Sequence, residues 1–154
     1  MLTGEFRNMI DDKGRLLIPS RLRNALAHTD LHVCRSPEDN CLWLMLAEDF
    51  EEFANSLTGG AWTMFDKKSQ WFRRSIIARS AEIEIDKAGR INIPLSLREP
   101  VGLPNKQEAM LLGTNKVIEI WNESEYNKYL EAAAPEVPEY TRQMSEQLFE
   151  LEKK

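Results

Sequence analysis

The sequence predicts an α+β fold assembled from two equivalent halves, and three observations lead there. Residues 10–23, IDDKGRLLIPSRLR, recur 75 positions later as IDKAGRINIPLSLR at 85–98. Eight of the fourteen positions are identical, where roughly one match is expected by chance, so the chain is an internal duplication. Around each copy the apolar residues alternate at period two on either side of a glycine turn, then switch to helical spacing. A chain of 154 residues, 42% hydrophobic and 29% charged, is large enough to bury one real core.

The first repeat opens with Phe6, Asn8 and Ile10 alternating toward one face, as in a strand. Asp12-Lys13-Gly14 forms the turn, and Leu16 and Ile18 continue the alternation. Pro19 suits the first position of a short helix, where its missing N–H is not needed, and that helix is expected to bury Leu22, Ala25 and Leu26. Leu31–Cys34 and Cys41–Leu46 read as a strand pair joined by the turn-rich RSPEDN, followed by a helix carrying Phe50, Phe53 and Leu57. Thr58-Gly59-Gly60 breaks the chain, and Phe65, Phe72 and Ile76 fit a connecting helix.

The second repeat follows the same plan. Ala81, Ile83 and Ile85 alternate, Lys87-Ala88-Gly89 turns, and Ile91 and Ile93 continue. Pro94 opens a helix through Leu97 that Pro100 cuts short. Ala109–Leu112 and Val117–Trp121 form the second strand pair. Asn122 with Glu125 resembles a capping box ahead of a helix with Tyr126, Tyr129 and Leu130 on its apolar face. Pro135 and Pro138 loosen the chain, and Tyr140, Met144, Leu148 and Leu151 then fall at helical spacing in an acidic tail. The expected divisions are 1–60, first repeat; 61–80, basic connecting helix; 81–134, second repeat; 135–154, amphipathic tail helix, which packs on its own domain or on a neighbouring subunit.

Net charge is −5, yet it is unevenly spread. Residues 5–26 carry +2, residues 64–80 carry +4 and residues 122–154 carry −4. The first half can therefore present a positive face despite the acidic total. No apolar run approaches the roughly 20 residues of a membrane helix, and MLTGEFRNMI lacks the pattern of a signal peptide, so a cytoplasmic protein is expected. Cys34 and Cys41 read as reduced thiols in strands; with His28 and His32 nearby a zinc site is conceivable, but the spacing does not favour it, and no metal or other cofactor is expected. No Gly-rich nucleotide loop, nucleophile–base pairing or His-Glu-x-x-His pattern points to an enzyme or a small-molecule substrate.

Each turn reads Asp-x-x-Gly-Arg. Gly14 and Gly89 permit a positive φ, and Asp11 and Asp86 can accept hydrogen bonds from turn N–H groups. The same carboxylates lie four residues before Arg15 and Arg90 and can fix the guanidinium. This geometry serves a purely architectural hairpin, or an oriented arginine that meets phosphates or base edges.

At these residues the chain resembles the MraZ family, which is built from two tandem AbrB-type half-barrels. The resemblance covers about residues 1–133 and rests on DDKGRLLIPSRLR, DKAGRINIP, WFRRSIIARSAEIEI and IEIWNESEY. It implies a pseudo-symmetric swapped-hairpin β-barrel with surrounding helices. It implies a sequence-specific transcriptional regulator that binds double-stranded DNA at short direct repeats upstream of a division and cell-wall gene cluster, associates with the nucleoid, and assembles into a ring-like homo-oligomer. By position it places DNA contacts at Asp11 and Arg15 and at Asp86 and Arg90.

Lys13 is matched by Ala88 and Arg21 by Ser96, so the first turn is read as the more basic, with Arg15 and Lys13 dominating and the second repeat serving more as scaffold. Arg23 and Arg98 could reach phosphate, but fit a solvated helix face or a structural ion pair better. Lys67, Lys68, Arg73, Arg74 and Arg79 could form a DNA-facing patch but read better as a solvated helix face or a subunit contact, and Trp43, Trp62, Trp71 and Trp121 read as core or interface. An oligomeric scaffold without specific DNA binding is the competing reading.

Overall fold

A computed structural model of the chain describes residues 1–26, 30–60 and 64–153. His28 and Trp62 lie outside the described residues. Two compact units are present, Met1–Glu123 and Ser124–Lys154.

The first unit is α+β. Its strands are β1 (Leu2–Met9), β2 (Arg15–Leu17), β3 (Leu31–Arg35), β4 (Leu42–Leu46), β5 (Ala81–Ile83), β6 (Arg90–Asn92), β7 (Glu108–Asn115) and β8 (Ile118–Asn122). Six of them form an antiparallel sheet in the order β1-β7-β8-β4-β3-β5, while β2 pairs with β6 in a separate ribbon. The order is a palindrome in the repeats. The leading strand of each repeat, β1 or β5, pairs with the third strand of the other repeat: β1 lies on β7 of the second, and β5 lies on β3 of the first.

The register carries the same symmetry. Leu16 faces Ile91, its own equivalent 75 positions on, and Trp43 faces Glu119 where the fourth strands β4 and β8 meet. A pseudo-twofold axis thus passes through the ribbon and the centre of the sheet. β1 and β5 are the two sheet edges, so the sheet is open and a closed barrel is not seen among the described residues.

The alternation read from the sequence sorts side chains onto two faces. Leu31, Val33, Leu42, Leu44, Ala109, Leu111, Ile118 and Ile120 point to the main core, which they share with Ile10, Leu16, Ile18, Ile91 and Ile93 from the ribbon and its flanks. Helix α1 (Ser20–Leu26) adds Leu22 and Leu26 to it. Ala25, expected inside, is exposed, because a seven-residue helix turns only a narrow stripe inward. Pro19 stands one place before α1, with its carbonyl accepting from the N–H groups of Leu22 and Arg23. Helix α4 (Leu95–Arg98) repeats this after Pro94 and passes into a 3₁₀ turn, Glu99–Val101, containing Pro100.

On the other sheet face, Cys34 and Met45 meet Phe50, Phe72 and Ile76, with Trp43 and Phe53 packed against them. Phe50 and Ala54 come from α2 (Ala47–Thr58), whose Leu57 is exposed. Phe72 ends α3 (Lys67–Phe72), and Ile76 sits in the π-helical turn Arg73–Ile77 that continues it. The Asp66 side chain caps α3 by accepting from Lys68 N, so Phe65 falls outside the helix and is exposed rather than part of its apolar face. Trp121 is buried and its indole N–H donates to Glu119, whereas Trp71 is exposed. Cys34 lies in β3 and Cys41 just before β4; both thiols are free and buried, and burial pushes the Cys34 thiol up to about 12 and raises that of Cys41 as well.

The second unit contains most of α5 (Glu123–Ala133), a 3₁₀ turn Ala134–Glu136 and α6 (Val137–Glu152). Pro135 falls in the 3₁₀ turn and Pro138 in the first turn of α6, where proline is tolerated. Tyr140, Met144, Leu148 and Leu151 share one face of α6 and all are exposed. No helix among the described residues is long and apolar enough to cross a membrane.

Candidate nucleic-acid interface

The two turns are near copies in space as well as in sequence. In the first, Asp11 Oδ1 accepts from the N–H groups of Lys13 and Arg15, both at 2.9 Å, and Oδ2 accepts from Arg15 Nε at 2.8 Å. In the second, Asp86 Oδ1 accepts from Ala88 N at 2.8 Å and Arg90 N at 2.9 Å, and Oδ2 from Arg90 Nε at 3.1 Å. The main chain closes each turn in the same way: Asp11 N donates to Arg15 O and Gly14 N to Asp11 O, as Asp86 N does to Arg90 O and Gly89 N to Asp86 O. Gly14 and Gly89 take φ values of +80° and +84°, which glycine adopts without a Cβ clash.

The amide and guanidinium donors favour the charged carboxylates. The Arg15 N–H, followed by the other donors around it, holds Asp11 at about 2, and the Arg90 and Ala88 N–H groups lower Asp86 likewise. Each carboxylate therefore does both jobs raised by the sequence: it shapes the turn and it grips its arginine through Nε. In both turns the grip runs through Nε, and the terminal guanidinium nitrogens make no hydrogen bond to another described residue.

The ribbon determines where those arginines face. Leu16 and Ile91 are buried on its inner side. Arg15 and Leu17 on one strand, and Arg90 and Asn92 on the other, therefore share the outer side. Arg15 sits opposite Asn92 and Arg90 opposite Leu17, so the two arginines are diagonal neighbours, about 7–8 Å apart at the backbone. The Asn8 side chain donates to Leu17 O and ties the ribbon to β1. Lys13 is exposed at the tip of the first turn.

The sequence reading missed Lys87. It is exposed at the second tip, one place earlier in its turn than Lys13. Asp12 occupies the matching place in the first turn, so the first tip is not the more basic of the two. Aligning Lys13 with Ala88 alone hid this; counting all charges in each turn finds it.

Arg23 and Arg98 also depart from expectation. They lie neither on a solvated helix face nor in an ion pair among the described residues. Arg98 is 5% exposed, with Nε donating to Ile93 O at 2.9 Å and Nη1 to Leu103 O at 3.0 Å. Its guanidinium lies against Gly14: a Cβ there would stand 2.7 Å from Nη2. Arg23 lies against Gly89 in the same manner, and a Cβ at Gly89 would overlap its guanidinium. Elsewhere, Lys67, Lys68, Arg74 and Arg79 are exposed on and after α3, with exposed Met64, Phe65 and Trp71 among them.

The family model described as "MraZ protein, putative antitoxin-like" matches residues 1–66 and 76–146. A protein of Treponema denticola named transcriptional regulator MraZ is 36% identical over 145 residues, covering 94% of this chain and 98% of its own length. Proteins of the same name from Heliobacterium modesticaldum and Thermomicrobium roseum are 33% and 32% identical, each covering 94% of this chain and 96% and 98% of their own lengths. Matched by the family model over both repeats and by these relatives nearly end to end, the chain belongs to the MraZ family.

Proposed function

We propose that this protein is a transcriptional regulator that binds duplex DNA sequence-specifically through the outer face of the β2–β6 ribbon and its two turns, with Asp11, Lys13, Arg15, Asp86 and Arg90 forming the contact. The observation that carries the reading is the pair of aspartate-gripped arginines presented on one face of a two-stranded ribbon. A ribbon of this width fits the major groove of B-DNA, and a guanidinium fixed through Nε keeps its terminal nitrogens for a guanine edge or a phosphate. Lys13 and Lys87 at the tips suit flanking phosphates, while Asp11 and Asp86 act by orienting their arginines. The names carried by the relatives agree with a regulatory role.

The same reading places the protein in the cytoplasm at the nucleoid, on short direct repeats ahead of a division and cell-wall gene cluster. It makes the working form a ring-like homo-oligomer, in which several weak contacts add by avidity. The exposed apolar face of α6 and the opposite charges of residues 64–80 and 122–154 are features that self-association would use. The exchange of leading strands between repeats supports the swapped-hairpin description of residues 1–60 and 81–134, with 61–80 as connector and 135–154 as tail. The exposed α6 face also favours a second reading, an oligomeric scaffold without specific DNA binding.

Fluorescence anisotropy against the DNA upstream of the protein's own gene, with a scrambled duplex as control and two salt concentrations, separates the readings. Sequence-dependent, salt-sensitive binding that is lost in Arg15→Ala and Arg90→Ala supports the regulator. Equal affinity for both duplexes in an assembled protein supports the scaffold.

A further inference from the structure

We infer that Arg23 and Arg98 are crossed positioning residues, each holding the arginine-bearing turn of the opposite repeat in its binding geometry. This deepens the proposed DNA site and rests on that reading for its consequence, though not for its geometry. The two arginines are equivalents 75 positions apart, and each belongs to the short helix after its own ribbon strand. Yet Arg98, from the second repeat, packs on Gly14 of the first, and Arg23, from the first, packs on Gly89 of the second.

Direct DNA contact does not account for Arg98. At 5% exposure its charge has no access to a phosphate, and two of its nitrogens are committed to Ile93 O and Leu103 O. Charge pairing does not account for either residue, since neither forms an ion pair among the described residues. Shape does. Each guanidinium occupies the space that a Cβ would fill, and these are the two turn positions where glycine stands. Other links run across the same seam: Ile18 N donates to Gly89 O, Asn105 Nδ2 to Asp12 O and Lys106 N to Ile10 O. Each turn is therefore braced from the opposite repeat. Because Asp11 and Arg15 are fixed to the turn backbone, a shift of the turn moves the guanidinium with it. At Arg98 the fork holds two carbonyls while still reaching Gly14, whereas Arg23, whose Nε is buried without a hydrogen-bond partner, braces Gly89 by contact alone; lysine keeps the charge and loses the planar guanidinium at both positions.

The test uses the full-length protein and the variants Arg98→Lys and Arg23→Lys. Hydrogen–deuterium exchange needs no DNA: Arg98→Lys is expected to speed exchange over residues 11–16, and Arg23→Lys over residues 86–91. In DNA binding, Arg98→Lys lowers affinity for the specific duplex about 3- to 30-fold and leaves affinity for the scrambled duplex unchanged. Its effect vanishes on an Arg15→Ala background and persists on an Arg90→Ala background; Arg23→Lys shows the reverse. A merely structural arginine would not produce this crossed pattern. Disturbance confined to the variant's own repeat, equal disturbance of both turns, or none, overturns the inference. Arg23, the less buried of the two, carries the same test if Arg98→Lys does not fold. If the wild type discriminates no duplex, the DNA reading fails, and the exchange pattern alone decides whether the crossed brace exists.

Discussion

Replacing Gly14 with alanine asks the turn to accept two separate costs. At φ +80° an L-residue pays about 1–2 kcal/mol for the left-handed conformation. The new Cβ would also stand 2.7 Å from Arg98 Nη2 and 3.3 Å from Cζ. Retreat of the guanidinium strains its bonds from Nε to Ile93 O and from Nη1 to Leu103 O, and losing one such charge-assisted hydrogen bond costs about 1.5–3 kcal/mol. Together these put Gly14→Ala about 2.5–5 kcal/mol below wild type, which at an m-value of about 2 kcal/mol/M lowers the urea midpoint by about 1–2.5 M. Gly102 supplies the control. It has a similar φ of +73°, but a Cβ there meets nothing closer than Asn122 Nδ2 at 3.4 Å, so Gly102→Ala should cost the conformational part alone. Asparagine tolerates the left-handed region, so Gly14→Asn should recover about 1 kcal/mol of the loss and no more. Unfolding is followed by far-UV circular dichroism at one protein concentration. If Gly14→Ala proves no more destabilising than Gly102→Ala, the guanidinium does not restrain the turn.

Arg15→Ala should weaken specific DNA binding about 5- to 150-fold, the value of one bidentate base contact, while the melting temperature stays put; a shallower salt slope by about one would instead mark a phosphate contact. Acid should loosen the first turn in a defined window: Asp11 sits at about 2 when folded against an ordinary 3.8, so its contribution is complete above about 3.8, fades as pH falls and is gone below about 2. Acid-dependent exchange of the Gly14 region reads this, and Asp11→Asn should abolish the transition. Cys34 and Cys41 should resist a thiol reagent at pH 8 until urea unfolds the first unit, and fast labelling of the native protein would contradict their burial. Deleting residues 139–154 should lower the number of subunits per assembly in light scattering, after the loss of mass from each chain is allowed for; an unchanged number would remove α6 from assembly.

The two turns were legible because their chemistry is local. Asp, Gly and Arg at fixed spacing determine a bend, a positive φ and a gripped guanidinium, and no distant residue is needed to infer them. Alternation likewise placed Leu31, Val33, Leu42 and Leu44 on one face. Partners were less legible, since alternation tells which side a residue faces and not which strand lies beside it. Nothing in the β1 sequence LTGEFRNM points to β7, more than a hundred residues later. Arg23 and Arg98 were misread for a related reason. On a helix drawn from sequence they are two charges after a proline; only the crossing of the repeats brings each over the other's glycine. Lys87 was missed by matching single positions, although the charge it adds to the second tip was in plain view.

The ribbon's self-paired register has an evolutionary consequence. Two separate identical chains meeting at Leu16 and its mate would be bound to mirror every change, since one gene would write both sides. Covalent fusion removes that obligation. Asp12 and Lys87, Lys13 and Ala88, Leu17 and Asn92, and Arg21 and Ser96 have already parted company while the frame around them stayed matched. A surface of this kind has a head and a tail, and it can tell one direction along a strand from the other where a symmetric dimer reads both alike.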